Sequence, residues 1–170
     1  LRLPLTLIGV SLGQIFYNRS SELYNQQKAI LPLIRKLLLG LSLLSLIPFG
    51  ILFFYGTEIF SFVFGANWQI AGSYSETMSV WLMVNFILTP IAALPMILKK
   101  QNVFFLLGIG SSLIQVLPYW IFHWAYGNSA AVFLFSLQIV SYTQALWLLV
   151  TIGLLYYYAK QADQKVGHRA

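Results

Sequence analysis

The sequence predicts an all-α, polytopic membrane helix bundle, and three observations predict it. The chain of 170 residues is 59% hydrophobic and only 8% charged, whereas soluble domains carry charges at about a quarter of their positions. Its mean hydropathy is +0.77. The apolar residues fall in runs long enough to cross a hydrocarbon core of roughly 30 Å, and Lys and Arg are confined to alternate connections between those runs. Five transmembrane helices follow, at about residues 1–18, 37–55, 74–98, 103–124 and 130–159, with residues 160–170 as a cytoplasmic tail.

The first span, LRLPLTLIGVSLGQIFY, is close to the shortest apolar run that can cross. Gly9 and Gly13 form a G-x-x-x-G, which admits close approach of a second backbone. Ser11, Gln14, Asn18, Glu22 and Asn25 recur at steps of three and four, so one polar stripe predicts a helix that runs on past the membrane. Residues 19–36 carry Arg19, Lys28, Arg35 and Lys36 against the single acid Glu22. That excess marks a cytoplasmic connection.

Pro48 lies inside the second span and predicts a bend there. Residues 55–90 then hold Glu58 and Glu76 and no Lys or Arg, which places the connection on the opposite side, with Trp68 as an interfacial aromatic. Ile59, Phe60, Val63 and Phe64 share a helical face, so residues 58–64 predict a short helix lying on the interface. Gly65 ends it in a left-handed cap, and Ser73 with Glu76 fits the S-x-x-E capping box that opens a helix.

The third span is interrupted by Pro90 and Pro95 and meets Lys99 and Lys100, again a cytoplasmic signal. The fourth ends in HWAYGNS, without Lys or Arg, and the fifth in Tyr156, Tyr157 and Tyr158, followed by Lys160, Lys165 and Arg169. Basic and unbasic connections therefore alternate along the chain. Only Arg2, at the outer end of the first span, dissents.

The net charge of +6 does not imply nucleic acid, because such a footprint needs Lys and Arg clustered on one solvated face. There is no Cys, and His123 and His168 stand far apart, so no metal or other cofactor is expected. No P-loop, H-E-x-x-H, EF-hand or nucleophile-elbow motif occurs, and the spans are nearly free of ionisable groups. An enzyme is not expected. The chain opens at Leu1 within an apolar run, without an initiator Met or signal-peptide pattern, which predicts a piece of a longer polytopic protein.

Two motifs carry a family resemblance. Glu58, Ile59, Phe60, Phe64, Gly65, Trp68, Ala71 and Gly72 spell E-I-F-x-x-x-F-G-x-x-W-x-x-A-G, followed by a span ending near Pro90. Upstream, Gly13, Gln14, Phe16, Tyr17, Arg19, Ser21 and Glu22 spell G-Q-x-F-Y-x-R-x-S-E. Both resemble segments of bacterial oligosaccharide flippases, the O-antigen and polysaccharide repeat-unit transporters of the multidrug, oligosaccharidyl-lipid and polysaccharide exporter superfamily. The resemblance covers most of the first 100 residues and beyond them is only topological. It implies an inner-membrane exporter of about twelve helices in two lobes, with these five in the second lobe and the amino-terminal lobe of the same protein as partner. It further implies a lipid-linked oligosaccharide substrate, surrounding membrane lipids, a role in polysaccharide or lipopolysaccharide biosynthesis, and no chemical step.

The residues themselves nominate two groups for the substrate cavity. Gly108, Ser112, Gln115 and Tyr119 share a face of the fourth span, extended by His123, and read either as a cavity wall for sugar hydroxyls and phosphate or as polar glue between helices. Gln14 and Arg19 read either as contacts to the substrate pyrophosphate, for which Arg supplies a bidentate fork, or, for Arg19, as a positive-inside anchor. Asn85 with Thr89, and Gln138, Ser141 and Gln144, read first as glue. Pro48, Pro90, Pro95 and Pro118 offer hinges, although membrane helices tolerate proline without that role. Besides the flippase, the sequence is compatible with a drug or lipid exporter of the same superfamily and with a non-transporting membrane subunit of a polysaccharide assembly complex.

Overall fold

Long apolar runs force the backbone to satisfy its own hydrogen bonds, and the helix is the open-chain structure that does so. In the computed structural model, which describes residues 2–127 and 129–167 and the side chains of residues 10–127 and 129–166, the described elements are helical and include no strand. They are α1 (Arg2–Asn25), α2 (Leu31–Phe64), α3 (Gln69–Leu88), the single turn α4 (Leu94–Ile97), α5 (Gln101–Tyr126) and α6 (Ala130–Gly167). Short 3-10 turns at Ala66–Trp68 and Thr89–Ile91 join α2 to α3 and α3 to α4. His168, Arg169, Asn128 and the side chain of Arg2 lie outside the described residues.

Four segments among the described residues are long and apolar enough to cross a membrane: Leu31–Phe64, Ala66–Ile97, Gln101–Tyr126 and Ala130–Val166. The helix α1 is not one of the four. It does run on to Asn25, carrying Asn18 and Glu22 on helical backbone.

Of three expectations about the stretch around residue 55, one is met and two are corrected. A kink at Tyr55 does set residues 58–64 apart from the preceding span, and they run as a short helical piece at the end of α2. The departure from helical geometry falls at Tyr55 (φ −132°, ψ 18°) rather than at Pro48. Ser73 and Glu76 do not cap a helix, because α3 has already begun at Gln69.

The bend has a packing cause. Just beyond it, Gly56 meets Gly72 of α3 so closely that a Cβ on Gly72 would stand 2.5 Å from Thr57 Cα and 2.7 Å from the Gly56 carbonyl oxygen. Glycine at both positions lets the two backbones touch, as small residues do in lipid, where no hydrophobic force drives helices together. Glu76 completes the crossing, its Oε1 accepting from the Thr57 N–H at 2.6 Å. The carboxylate thus serves a backbone amide next to the kink on the other helix. Gly65 then ends α2 with φ +96° and ψ 167°, donating its N–H to the Ser61 carbonyl at 2.9 Å. The expected positive φ is present, but ψ lies outside the left-handed helical region.

The core lies between α2, α3 and α6 and includes Ile34, Leu41, Phe49, Trp81, Phe86, Leu148 and Leu155. The α1 helix packs against the proline turn: a Cβ on Gly13 would sit 3.5 Å from Pro90 Cα. At the basic end the chain is tied across its length, because Asp163 of α6 accepts from the N–H groups of Ile30 (2.9 Å) and Leu31 (2.8 Å). A carboxylate at a helix N-terminus satisfies orphan amides and complements the dipole. Beside it, Arg35 Nε donates to the Tyr156 hydroxyl at 2.7 Å. Residues 160–167, read as tail, are therefore helix with a packing role.

Candidate functional site

The α5 helix is held to α6 by one seam. Leu107, Ser111, Gln115 and Tyr119 follow one another at steps of four, the row that helices commonly present to a neighbour. Trp147 lies across Gly110, where any Cβ would overlap the indole, and donates Nε1–H to the Leu107 carbonyl at 3.0 Å. Gln144, buried, donates its amide to the Ser111 hydroxyl. Farther along, Tyr119 stacks on Phe133 with centroids 5.7 Å apart, and Phe122 meets Phe135 edge-on at 5.4 Å.

Between those two sets of contacts the helices part and leave a cleft of about 400 Å³, closed on the third side by Met78 and Trp81 of α3. Gln115 and Tyr119 line it from α5, and Leu137, Val140 and Ser141 from α6. Ser141 is buried, and its hydroxyl has no hydrogen-bond partner among the described residues. An adjoining hollow of about 410 Å³ shares Val116 and Tyr119 and continues past His123 and Ser136 toward the α5–α6 turn. Together they form a groove with apolar walls, along which a phenol, an amide, hydroxyls and an imidazole are set.

Gln115 and Tyr119 are thus brought together as the sequence suggests, and His123 extends the groove. Ser112 is not part of it: its hydroxyl donates to the Gly108 carbonyl at 3.0 Å and it faces outward. Because the contacting row follows steps of four, Ser112 is one position off it. Gln14 lines a separate shallow groove with Gly13, Tyr17 and Ala93, which shares no residue with the cleft. Arg19 is exposed and paired with Glu22 at 2.5 Å. The two groups of residues nominated from sequence lie in different places.

Of the residues read as glue, Thr89 donates to the Asn85 carbonyl at 2.7 Å within its own helix run, and Gln144 links α6 to α5. Ser141 instead opens onto the cleft. Met78 and Trp81 carry no mark in the sequence, since nothing in an apolar helix distinguishes a wall from a core residue before its neighbours are known. No three His, Asp or Glu converge as a metal site among the described residues. The cleft offers neutral donors and acceptors in an apolar setting, which suits hydroxyl-rich or amide-bearing groups that enter from a membrane. Compared with family models, with curated proteins and with solved structures, the chain finds no match.

Proposed function

We propose that this chain forms part of a membrane flippase that carries lipid-linked oligosaccharide or polysaccharide repeat units across the bacterial inner membrane by alternating access. The observation that carries the reading is the groove between α3, α5 and α6, in which Gln115, Tyr119 and Ser141 stand among apolar walls. Neutral polar groups there match sugar hydroxyls, while the open apolar face of α5 accommodates a lipid tail. The two motif resemblances supply the substrate class. In this reading the ends rich in Lys and Arg are cytoplasmic and the turn at residues 65–68 faces outward.

The test is transport by the full-length protein reconstituted in liposomes with a fluorescent lipid-linked oligosaccharide. A double variant Gln115→Leu, Tyr119→Phe is expected to reduce flipping about tenfold or more, consistent with loss of two polar contacts. Arg19→Ala is expected to leave insertion intact, and reduced flipping in both Arg19→Ala and Arg19→Lys would assign Arg19 to the pyrophosphate. Unchanged flipping in the double variant removes the groove from the pathway. No flipping by the unaltered protein, with repeat units still presented at the outer face of a strain lacking it, would favour the assembly-subunit alternative.

A further inference from the structure

At the basic end, the α1–α2 connection, the α4–α5 turn and the last turns of α6 enclose a pocket of about 320 Å³. Its polar lining is Tyr24, Gln27, Lys100, Tyr158, Gln161 and Lys165, over an apolar floor that includes Leu98 and Ala162. No carboxylate lines it, and neither lysine has an acidic partner among the described residues. Asp163, between the lining residues Gln161 and Lys165 in sequence, is committed to the amides of Ile30 and Leu31. Lys100 instead rests its ammonium 5.6 Å from the centroid of Tyr158, and Gln161 donates to the Tyr157 hydroxyl at 2.8 Å. Two exposed ammonium groups without an acidic partner, lining one concavity, leave it with a positive field that favours an anion.

The backbone around the pocket points the same way. The α1 helix ends with Lys28 N–H on the Leu23 carbonyl at 2.8 Å and Gln27 N–H on the Tyr24 carbonyl at 3.1 Å. The α4 turn ends likewise, with Lys100 N–H on Pro95 at 2.8 Å and Lys99 N–H on Met96 at 3.4 Å. Both are the paired-bond helix ending whose left-handed position glycine normally occupies. Here that position holds Gln27 (φ +53°) and Lys99 (φ +55°), the two non-glycine residues of positive φ among those described. Left-handed side-chain-bearing residues concentrate at ligand sites. Gln27 lines the pocket, and Lys99 immediately precedes the lining residue Lys100.

We propose that this pocket binds the phosphate of an anionic phospholipid headgroup. The lipid, rather than a free phosphate, is the source the setting favours, because the lysines stand where apolar helices give way to a basic surface and the floor is apolar. Basic pockets between helices on the cytoplasmic side are suited to such headgroups. The site shares no residue with the groove of α3, α5 and α6 and does not depend on the transport reading.

Native mass spectrometry of the full chain in detergent, titrated with phosphatidylglycerol or phosphatidylcholine, tests the proposal. Retention of phosphatidylglycerol is expected to exceed that of phosphatidylcholine by about tenfold, and Lys100→Gln with Lys165→Gln to abolish the difference. Lys100→Arg with Lys165→Arg is expected to keep it, which separates lost charge from lost folding. Equal retention of the two lipids by the unaltered chain, or a preference that survives removal of both lysines, overturns the site. Displacement of bound phosphatidylglycerol by millimolar inorganic phosphate overturns the lipid assignment.

Discussion

Two helix pairs in this molecule solve the same problem by different means. At the α2–α3 crossing the backbones meet at Gly56 and Gly72, a carboxylate spans them, and α3 buries Ser79, Trp81, Leu82, Val84 and Phe86. At the α5–α6 seam, α5 has no buried residue at all, and attachment rests on Gly110 under Trp147, the indole bond to the Leu107 carbonyl, one amide–hydroxyl bond and two aromatic pairs. Where lipid removes the hydrophobic force between helices, closeness and polar pairing decide which contacts are firm. The first pair is a core, and the second is an attached wall that leaves room for a groove.

The sharpest way to break that contrast is Gly72→Val. Its Cβ would meet backbone at Thr57 and Gly56, which cannot rotate away, so a loss of about 3 kcal/mol is expected, seen as loss of folded protein on size exclusion. Gly110→Val meets only the Trp147 side chain, which can move. It is expected to free α5 while the α2–α3 core survives, read as new protease sites confined to residues 101–129. If both variants unfold the whole chain alike, the contrast fails.

Glu76 separates a further strand of the comparison. Replacing it with Ala leaves the Thr57 amide unpaired in an apolar setting, at a cost of about 2 kcal/mol, whereas Glu76→Gln keeps the acceptor and is expected to cost less than half as much in thermal unfolding. A larger loss for Gln would mean that charge, not the acceptor, holds the crossing. The smallest effect is expected at the seam: Gln144→Leu should cost about 0.6 kcal/mol, the average for polar contacts between membrane helices. A loss of 2 kcal/mol there would promote the seam to the standing of the crossing.

These two regions also differ in how much a sequence reading recovers. The all-α membrane class and the breaks near Gly65 and Lys100 are legible because apolar runs and turn residues act locally. Glu76 is misread because S-x-x-E is a local pattern, while its actual partner, Thr57, lies on another helix. The break at Tyr55 is legible where the apolar run meets Gly56, Thr57 and Glu58, but its cause, a backbone contact with α3, is not. Pro48, a residue that membrane helices tolerate, draws the expected bend to the wrong place. In the groove, Gln115 and Tyr119 emerge from helical spacing, but Ser112 is admitted with them because periodicity gives a face without its partner. Asp163 is invisible for a related reason: in a polar stretch of sequence it has no apolar pattern to mark it as packed.

That same aspartate orders events in time. The carboxylate that finishes α2 lies 133 residues after the amide of Ile30 it serves, so during synthesis α2 enters the bilayer with its first turn uncapped. It remains so until α6 has followed. The basic end of the bundle is thus the last part of this segment to set, and a chain halted before residue 163 would have α2 made but its first amides not yet joined to α6.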